Sequence, residues 1–565
     1  MVVGYIQSME KKQNKHTNWY KNAVIYQIYP RSFCDTNNDG LGDIKGIISK
    51  LDYLKELGVN CVWLSPVYDS PQKDNGYDIS NYLDIYPPFG NLDDFKKMLS
   101  EMHSRGIRLI MDLVVNHTSD KHKWFLSAIG DKNSPYRDYY YIRKGKKNGK
   151  QPPNNWQGFF GEKAWTRIEG TDEWYLHLFT KEQPDLNWEN EKVREEVKNV
   201  LRFWLDMGVD GFRCDVINLI SKKQDFKSRF PSIALTGRDA YINGPRLHEY
   251  LHELYKDVYA NYDCMTVGEA VMATPKINIE LVSPEREELD MIFNFSHTDS
   301  DNYLGIKYLH RKFSLLRFKK RLNKQQVSLK GKGWNSLFIE NHDQRRSRGR
   351  FGTIEEDINS SKSLAASYFL LQGTPFIYQG QEIGMTNAHF KSLDEIRDIE
   401  SYNLDQISNK IPFLGKRIKK ILFDVSRDNA RTPMIWDNTE YGGFSKVEPW
   451  IRVNENKETI NVEAALKDKN SLYYFYKELI NFRLNHKVLI DGDFKMIDIN
   501  NPHVFAYIRE NKNEKVVVVS SFANKEVKFN YTKELSYKCI VISNYDTHFE
   551  KLKPFETRVY LINKH

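Results

Sequence analysis

Short runs of apolar and β-branched residues alternate along most of the chain with longer stretches whose apolar residues recur at helical spacing. Alternation of this kind is typical of a parallel sheet in which a helix follows each strand. Eight runs are predicted as strands, and eight is the number that a closed barrel needs. The predicted strands are Ala23 to Tyr29, Cys61 to Leu64, Leu109 to Val115, Gly211 to Cys214, Met265 to Val267, Met291 to Asn294, Ser336 to Ile339 and Phe376 to Tyr378.

Two stretches depart from this alternation and predict added modules. Residues 119–186 are rich in Lys, Asn, Gly and aromatic residues, which indicates a lobe inserted after the third strand. From about Lys487, strand-like runs follow one another without helices, as in a small antiparallel β domain. We therefore predict an α/β fold: a (β/α)8 TIM barrel at 18–118 and 187–485, an inserted lobe after strand 3 at 119–186, and a C-terminal antiparallel, β-sandwich-like domain at 486–565.

Length and composition agree with this fold and exclude some partners. At 565 residues the chain is too long for one ordinary domain, and its 40% of hydrophobic residues provide ample core material. The net charge of +8 is modest, and Lys and Arg are interleaved with Asp and Glu, so nucleic acid is not an expected partner. We expect a monomer without an organic cofactor.

The cysteines and the apolar runs indicate a compartment. Five scattered cysteines have no metal-ligand spacing and cannot all pair within the chain, which favours reduced thiols in the cytosol. The first residues lack a signal-peptide pattern, and no segment offers about 18 consecutive apolar residues for a membrane span. We expect a soluble, cytoplasmic protein that does not bind membranes.

Three acidic residues stand directly at the ends of predicted strands, namely Asp215, Glu269 and Asp343. The carboxyl ends of barrel strands are where catalytic groups of such folds are presented. Cleavage of a glycosidic bond with retention needs one carboxylate as nucleophile and one carboxylic acid as proton donor, roughly 5 Å apart. The pattern therefore predicts carbohydrate chemistry.

The residues around these acids match a family pattern in five places and in one order. The matching segments are Asp112 to His117, Gln183 to Asn187, Gly211 to Asp215, Val267 to Glu269 and Asn341 to Asp343. With these motifs the chain resembles the α-amylase family of glycoside hydrolases, and within it the oligo-1,6-glucosidase and dextran-glucosidase branch. The resemblance implies that Asp215 is the nucleophile, Glu269 the acid/base, and Asp343 the carboxylate that holds sugar hydroxyls and strains the ring.

The residue types support the roles that the resemblance implies. Arg213 is two residues before Asp215, so on a strand it faces the same side and is expected to keep that carboxylate ionised. Glu269 follows an apolar strand and is near other carboxylates, so its pKa is expected to be raised. His117 and His342 are expected to donate hydrogen bonds to sugar hydroxyls, the alternative being that they satisfy core carbonyls.

Pocket shape decides between removal of an end sugar and internal cleavage. Tyr77 resembles the family tyrosine that stacks on the terminal glucose, and Asp74 the aspartate that binds its 4-hydroxyl. Arg427 matches the partner of that aspartate, and such a pair walls off the space beyond the non-reducing end. Phe179 and Gln183 line the same pocket by resemblance. An exo-acting α-glucosidase is expected.

Linkage preference is predicted from Val216, which directly follows Asp215. In the resembling branch, Val at this place goes with α-1,6 linkages, while Ala or Thr goes with α-1,4 linkages. The alternative is that Val216 is simply a β-forming residue.

A calcium loop is also suggested near the N-terminus. Its oxygen ligands would come from Asp35, Asn37, Asp39, the carbonyl of Leu41, and Asp43. Gly46 stands where an EF-hand has its bidentate glutamate, so the segment instead resembles the structural Ca²⁺ loop of this branch. The alternative is an Asx-rich turn without metal.

The segment after Asp343 departs from the family pattern, in which Gln-Pro-Arg is usual. Arg345 and Arg348 add positive charge near the expected aglycone site, where they would suit a phosphorylated sugar or belong to a solvated loop. Glu340 stands where relatives often have Asn, which leaves the aglycone site less defined.

The sequence thus predicts a retaining exo-α-glucosidase that acts on isomaltose and isomalto-oligosaccharides by double displacement. Alternatives within the family are a trehalose-6-phosphate hydrolase, a sucrose isomerase and a broad α-glucosidase. An alternative of another class is a non-catalytic barrel that binds sugars as an ancillary module. The presence of all three acids and the lack of a membrane anchor argue against that module.

Overall fold

The computed structural model describes residues 17–232, 235–303, 306–410, 414–531 and 535–564. Its central element is a sheet of eight strands. The strands are β1 (Ile25–Ile28), β2 (Cys61–Leu64), β3 (Arg108–Leu113), β4 (Gly211–Cys214), β5 (Met265–Glu269), β6 (Met291–Phe293), β7 (Ser336–Leu337) and β8 (Thr374–Tyr378). They pair in parallel in the order β6-β5-β4-β3-β2-β1-β8-β7.

The two end strands of this sheet meet through a side chain. Ser336 Oγ in β7 donates a hydrogen bond of 2.8 Å to the carbonyl of Ile292 in β6. The sheet is therefore a nearly closed barrel, and the predicted TIM barrel is confirmed. Strand β7 is shorter than predicted, and just beyond it the carbonyl of Phe338 accepts a hydrogen bond from His297.

Helices follow the strands around the outside of the barrel. They are Ile44–Ser49, Leu51–Leu57, Leu92–Ser104, Glu191–Met207, Leu247–Asp257, Pro275–Val282, Leu315–Leu329, Ile358–Phe369 and Leu472–Asn485. The other described α-helices are Lys123–Gly130, Arg238–Tyr241, Ile399–Asn409, Leu414–Val425, Asp428–Arg431, Val462–Lys467 and Val488–Asp491.

The helix Glu191–Met207 shows how the local sequence sets an element. Asn190 caps it by accepting a hydrogen bond from the backbone N–H of Lys192, and Gly208 ends it in the left-handed conformation with φ 109°. Val197 and Trp204 belong to its buried face. Helical spacing of such apolar residues directs one face onto the barrel.

Side chains alternate between the two faces of the barrel strands. In β2, Cys61 and Trp63 pack in the barrel interior, while Val62 and Leu64 pack against the helices. In β4, Phe212 and Cys214 pack in the helix layer. Arg213 therefore faces the interior, where its guanidinium lies 5.3 Å from the centre of the Trp63 ring.

An antiparallel sheet forms the centre of the predicted lobe, with strand order Ile142–Lys144, Glu173–Leu176, Trp165–Arg167. Tyr141, Trp156 and Leu176 of the lobe pack with Val216 and Leu219. The lobe thus covers the chain that leaves β4. Two further pairs of short strands are Tyr68–Asp69 with Asn81–Ile85, and Asn302–Tyr303 with Ile306–His310.

The C-terminal part contains an antiparallel sheet, as predicted. Its strands are β9 (Asp493–Ile497), β10 (Val504–Glu510), β11 (Glu514–Ser521), β12 (Ile540–Ser543) and β13 (Thr557–Asn563), in the order β9-β10-β11-β13-β12. Val527–Lys528 and Lys551–Leu552 form a separate two-stranded sheet. The exact domain boundaries drawn from the sequence stay a prediction.

The structure bears on the predicted free thiols and on the predicted lack of a membrane span. All five cysteines are free thiols, and four of them are buried. In the part of the chain that the structure describes, no helix combines the length and apolar character that crossing a membrane requires.

A buried ion pair joins the lobe to the barrel. Lys222 Nζ lies 2.8 Å from the Asp185 carboxylate, and neither side chain is accessible to solvent. The same Nζ donates to Asn116 Oδ1 (2.8 Å) and to the carbonyl of Leu219 (2.9 Å). Burial lowers the pKa of Lys222, and Asp185 opposes this effect.

Replacing Lys222 with Met should destabilise the protein by about 3–5 kcal/mol, because Asp185 would be left buried without its cationic partner. Thermal unfolding followed by circular dichroism measures the effect. The control is Lys223→Met, whose exposed ion pair with Asp239 is expected to contribute at most about 1 kcal/mol. Equal stability of the two variants would contradict the role of the buried pair, whereas Lys222→Met combined with Asp185→Asn should recover part of the loss.

Candidate active site

Arg213 is the centre of the predicted catalytic group. Its Nη1 donates to Asp215 Oδ1 (2.6 Å) and to Asp112 Oδ1, and its Nη2 donates to Glu269 Oε2. The β4 and β5 strand ends thus bring the two predicted catalytic acids to one guanidinium. Two acids that share one guanidinium lie close together, as a retaining mechanism requires with its separation of about 5–5.5 Å.

The predicted third acid, Asp343, is held by a second set of cations. Arg431 Nη2 lies 2.7 Å from Asp343 Oδ1, and Arg427 Nη1 lies 3.4 Å from the same atom. Burial alone would raise the pKa of Asp343, but His342, Arg427 and Arg431 outweigh burial and hold it well below its usual range. His342 is neutral at pH 7 because burial lowers its pKa to about 3, so the arginines keep Asp343 ionised.

The electrostatics of Asp215 differ from the sequence expectation in one respect. Burial raises the pKa of Asp215 to about 6, although Arg213 acts in the opposite direction. Arg213 was expected to keep this carboxylate ionised, but the hydration that a buried carboxylate loses outweighs what one shared guanidinium restores. Asp215 is still largely ionised at neutral pH. The raised pKa expected for Glu269 stays a prediction.

A cavity of 740 Å³ opens beside these acids. It brings together most of the predicted site residues, namely Asp74, Tyr77, His117, Phe179, Gln183, Asp215, Val216, Glu269, Asp343 and Arg427. Arg213 and His342 are buried and do not line it. Arg213 contacts the lining residues Asp215 and Glu269, and His342 contacts the lining residue Tyr77.

Part of the cavity wall is built from the predicted glucose-binding residues. Arg427 Nη2 lies 3.4 Å from Asp74 Oδ1, and Gln183 Nε2 donates to Asp74 Oδ2 at 3.2 Å. The nearer partner of Arg427 is Asp398, at 2.7 Å, which sequence reasoning missed. The pair between Asp74 and Arg427 therefore forms, but as part of a larger buried charge cluster.

The two predicted histidines have protein partners in the structure. His117 Nε2 donates to the Tyr77 carbonyl (3.0 Å), as in the core alternative, although His117 also lines the cavity. Gln27 donates to His342 Nδ1 (2.9 Å), which leaves the proton on Nε2, 2.7 Å from the Tyr77 hydroxyl. The Tyr77 and His342 rings stack with centres 5.3 Å apart. A sugar hydroxyl at His342 would have to replace one of these partners.

The segments that follow the two catalytic acids are tied together by Asn218. Its Nδ2 donates to the carbonyl of Val271 (2.9 Å), and its Oδ1 accepts from the N–H of Val271 (3.1 Å). Asn218 is fully buried and also donates to Asn243 Oδ1 (3.0 Å). Between Asp215 and Asn218, Val216 adopts φ 34°, which is strained for a β-branched residue.

A model of the α-amylase catalytic domain matches residues 27–492 of the sequence. The chain belongs to the α-amylase family. It is 50% identical over 559 residues to an oligo-1,6-glucosidase of Parageobacillus thermoglucosidasius, covering 96% of this chain and 99% of that protein. It is also 45% identical to a trehalose-6-phosphate hydrolase of Bacillus subtilis (strain 168), covering 98% and 100%.

Solved structures agree with this family assignment. The crystal structure of Bacillus licheniformis trehalose-6-phosphate hydrolase superposes with a TM-score of 0.90 at 44% identity, covering 97% of this chain and 100% of that chain. Oligo-1,6-glucosidases and trehalose-6-phosphate hydrolases, two of the classes considered from the sequence, are therefore both represented among the similar members of the α-amylase family.

The additional arginines occupy two different environments in this family member. Arg345 lines the cavity, and it pairs with Asp301 (2.9 Å) and with Asp424. Arg348 does not line the cavity and donates to the carbonyls of Glu355 (2.7 Å) and Gly384 (2.9 Å). Glu340 is buried and accepts from the backbone N–H of Ser347 (2.7 Å), so it supports the loop instead of facing the cavity.

The predicted calcium loop forms a hydrogen-bonded turn in which side chains cap backbone groups. Asp35 accepts from the N–H groups of Asn38 (2.8 Å) and Gly40 (3.0 Å), and Asp43 caps the helix Ile44–Ser49. Asp39 and Asn37 accept from nearby backbone N–H groups. Within the described ranges, no three His, Cys, Asp or Glu side chains form a metal-binding group. Mixed ligands that include the Asn37 amide and the Leu41 carbonyl stay a prediction.

Several residues of the site were missed by sequence reasoning. They are Asp112, Asn218, Asp398 and Arg431. Asp112 begins one of the matching segments, and Arg431 is four residues after Arg427, so the sequence could have indicated both. Asp398 lies in a polar helical stretch, and nothing in its local sequence distinguishes it from a surface aspartate.

The rate profile with pH should report the ionisation of Asp215. Since burial raises its pKa to about 6, kcat/KM for hydrolysis should fall as the pH drops through about 6, where the nucleophile becomes protonated. Asp343 will not contribute to this limb, because its pKa lies well below that range. Circular dichroism at each pH controls for unfolding. An acid limb centred near about 4, the ordinary value for aspartate, would contradict the burial effect.

Proposed function

We propose that this protein is a retaining exo-α-glucosidase that releases glucose from the α-1,6-linked ends of isomaltose and isomalto-oligosaccharides. The observation that carries the proposal is the pair of acids on Arg213 beside a cavity whose one end is built from Asp74 and Arg427. The names of relatives at about 50% identity support the same substrate class.

The two acids supply complementary chemistry on the bound glucose. The Asp215 carboxylate attacks C1, and the bond from C1 to the leaving oxygen breaks while Glu269 donates a proton to that oxygen. Water then attacks C1 of the glucosyl ester, Glu269 takes a proton from this water, and the bond to Asp215 breaks. Two inversions at C1 restore the α configuration. Asp343 would hold sugar hydroxyls, since its neighbouring arginines keep it ionised.

Exo action is supported by the charge cluster at the glycone end. Asp74 and Arg427 are both buried and face the cavity, and Asp398 fixes Arg427 from behind at 2.7 Å. A wall of this kind would close the cavity beyond the terminal glucose, as the exo action that we propose requires. Val216 lines the cavity next to Asp215, which supports the α-1,6 preference expected from the resemblance.

A phosphorylated disaccharide is the second candidate substrate, because basic side chains line the cavity. However, Arg345 pairs with Asp301 and Asp424, and Lys307 lies 2.5 Å from the Glu400 carboxylate. Arg350, which also lines the cavity, shares Asp301 with Arg345. A phosphate group would have to displace these carboxylates, and an arginine that is already paired gains less from a new anion. The pairing favours a neutral sugar.

We also propose that the protein acts as a monomer in the cytoplasm. Its five free thiols, four of them buried, suit a reducing compartment. Sedimentation of the purified protein tests the oligomeric state.

Glucose release should be at least about tenfold faster from isomaltose than from trehalose-6-phosphate at equal concentration, because the cavity arginines are already paired. Initial rates measured with both substrates test this expectation. Asp215→Asn is the blank and should lose activity by about 10³-fold or more, since the nucleophile is removed. Faster hydrolysis of the phosphorylated sugar would overturn the substrate assignment, and Arg345→Gln would then show whether this arginine binds phosphate.

We propose further that Asp35, Asn37, Asp39, Leu41 and Asp43 hold a structural Ca²⁺. The exposed Asp39 supplies a carboxylate that can turn to a cation without disturbing the core. Calcium at 100 times its dissociation constant should stabilise the fold by about 2.7 kcal/mol relative to the protein in EDTA. Thermal unfolding with and without calcium measures this shift.

Asp39→Asn should weaken the response to calcium, while Asp546→Asn, at another exposed aspartate in the C-terminal part, should retain it. A melting temperature that is the same in calcium and in EDTA would instead support the turn without metal.

A further inference from the structure

Met272 is an apolar side chain left exposed at the active-site cavity. It lies three residues after Glu269, lines the cavity, and is 53% exposed. Within the described part of the chain it belongs to none of the apolar core clusters, whereas its neighbour Val271 packs against the cluster that contains Val216. Met272 is therefore not placed to fill the core. Exposed apolar surface inside a cleft is typical of a ligand contact.

The backbone of Met272 is held in an unfavourable conformation. Its φ is 54°, in the left-handed region that glycine adopts more easily than residues with a Cβ. Strain of this kind persists where the surrounding structure enforces it, and it is concentrated at functional sites. Glycine would adopt this conformation with less strain, so a methionine at this position costs conformational free energy.

The Asn218 amide holds the backbone directly before this conformation. Its two hydrogen bonds to the backbone of Val271 fix the residue directly before Met272. Asn218 is itself fully buried and bonded to Asn243. The position of Met272 is thus set relative to Asp215 and to Glu269 by a rigid connection.

The role of Glu269 indicates which part of the substrate contacts Met272. Glu269 must reach the oxygen that joins glucose to the leaving group, so the leaving group lies against Glu269 and the segment that follows it. In the proposed function, the glucose that is transferred is bound by Asp74 and Arg427 instead, which lie 3.4 Å apart. Met272 accordingly belongs to the aglycone side.

On the basis of the proposed function, we propose that Met272 is a specificity-determining residue for the aglycone. Its flexible thioether chain provides an apolar surface for the leaving group, which suits the apolar face of a pyranose ring or an aryl group. The predicted consequence is a preference for α-glucosides whose leaving group has at least the size of one ring.

Three substrates with the same glucosyl group separate this role from an effect on catalysis. α-Glucosyl fluoride has a leaving group too small to touch Met272, whereas isomaltose and phenyl α-glucoside each present a ring. Met272→Gly should raise KM for the two ring-bearing substrates by about five- to twentyfold, leave their kcat within about twofold, and leave kcat/KM for the fluoride unchanged.

Two further variants test the chemistry of the contact. Met272→Leu keeps an apolar surface and should retain near wild-type KM values. Met272→Gln keeps the length but is polar, so it should weaken binding of phenyl α-glucoside more than that of isomaltose. Met272→Gly should melt at the same temperature as the wild type or higher, because glycine relieves the strain.

An equal loss of kcat/KM on all three substrates would overturn the inference, since Met272 would then act through Glu269 and not through the aglycone. Unchanged KM values in Met272→Gly would overturn it as well. Wild-type protein that hydrolyses none of the three substrates would instead show that the proposed function has failed, and the inference would fall with it.

Discussion

The buried guanidinium of Arg213 is the interaction on which the rest of the active site depends. It binds Asp112, Asp215 and Glu269, which come from the ends of three neighbouring barrel strands. A charge enclosed in this way is stable only when it is paired, and the three carboxylates provide that pairing. Because the barrel fixes the strand ends, the guanidinium in turn fixes the separation of the two catalytic acids.

The same principle of paired charges extends around the cavity. Arg427 and Arg431 are matched by Asp343, Asp74 and Asp398, and the cavity-lining Arg345 is matched by Asp301. Each of these arginines therefore has a carboxylate partner within the protein. A site of this kind suits the many hydroxyl groups of a neutral sugar better than it suits a free anion.

Buried polar contacts help to hold loops from different parts of the chain to this framework. Lys222 joins the lobe to the chain after β4 through Asp185, and Asn218 joins that chain to the segment after β5 through Val271. Both residues lie within eight positions of the nucleophile. The loop after β4 therefore connects the nucleophile, the lobe and the segment after β5.

The sequence by itself determined the eight barrel strands, the C-terminal antiparallel sheet and the positions of the three acids, because apolar periodicity and strand-end motifs are local properties of the chain. Only the tertiary structure decided that burial outweighs Arg213 in setting the pKa of Asp215, that Arg427 takes Asp398 as its nearest partner, and that Arg345 but not Arg348 reaches the cavity. Desolvation and ion pairing depend on which distant segments meet, as Asp74 and Arg427 do across 353 positions of the chain. No local pattern contains that information.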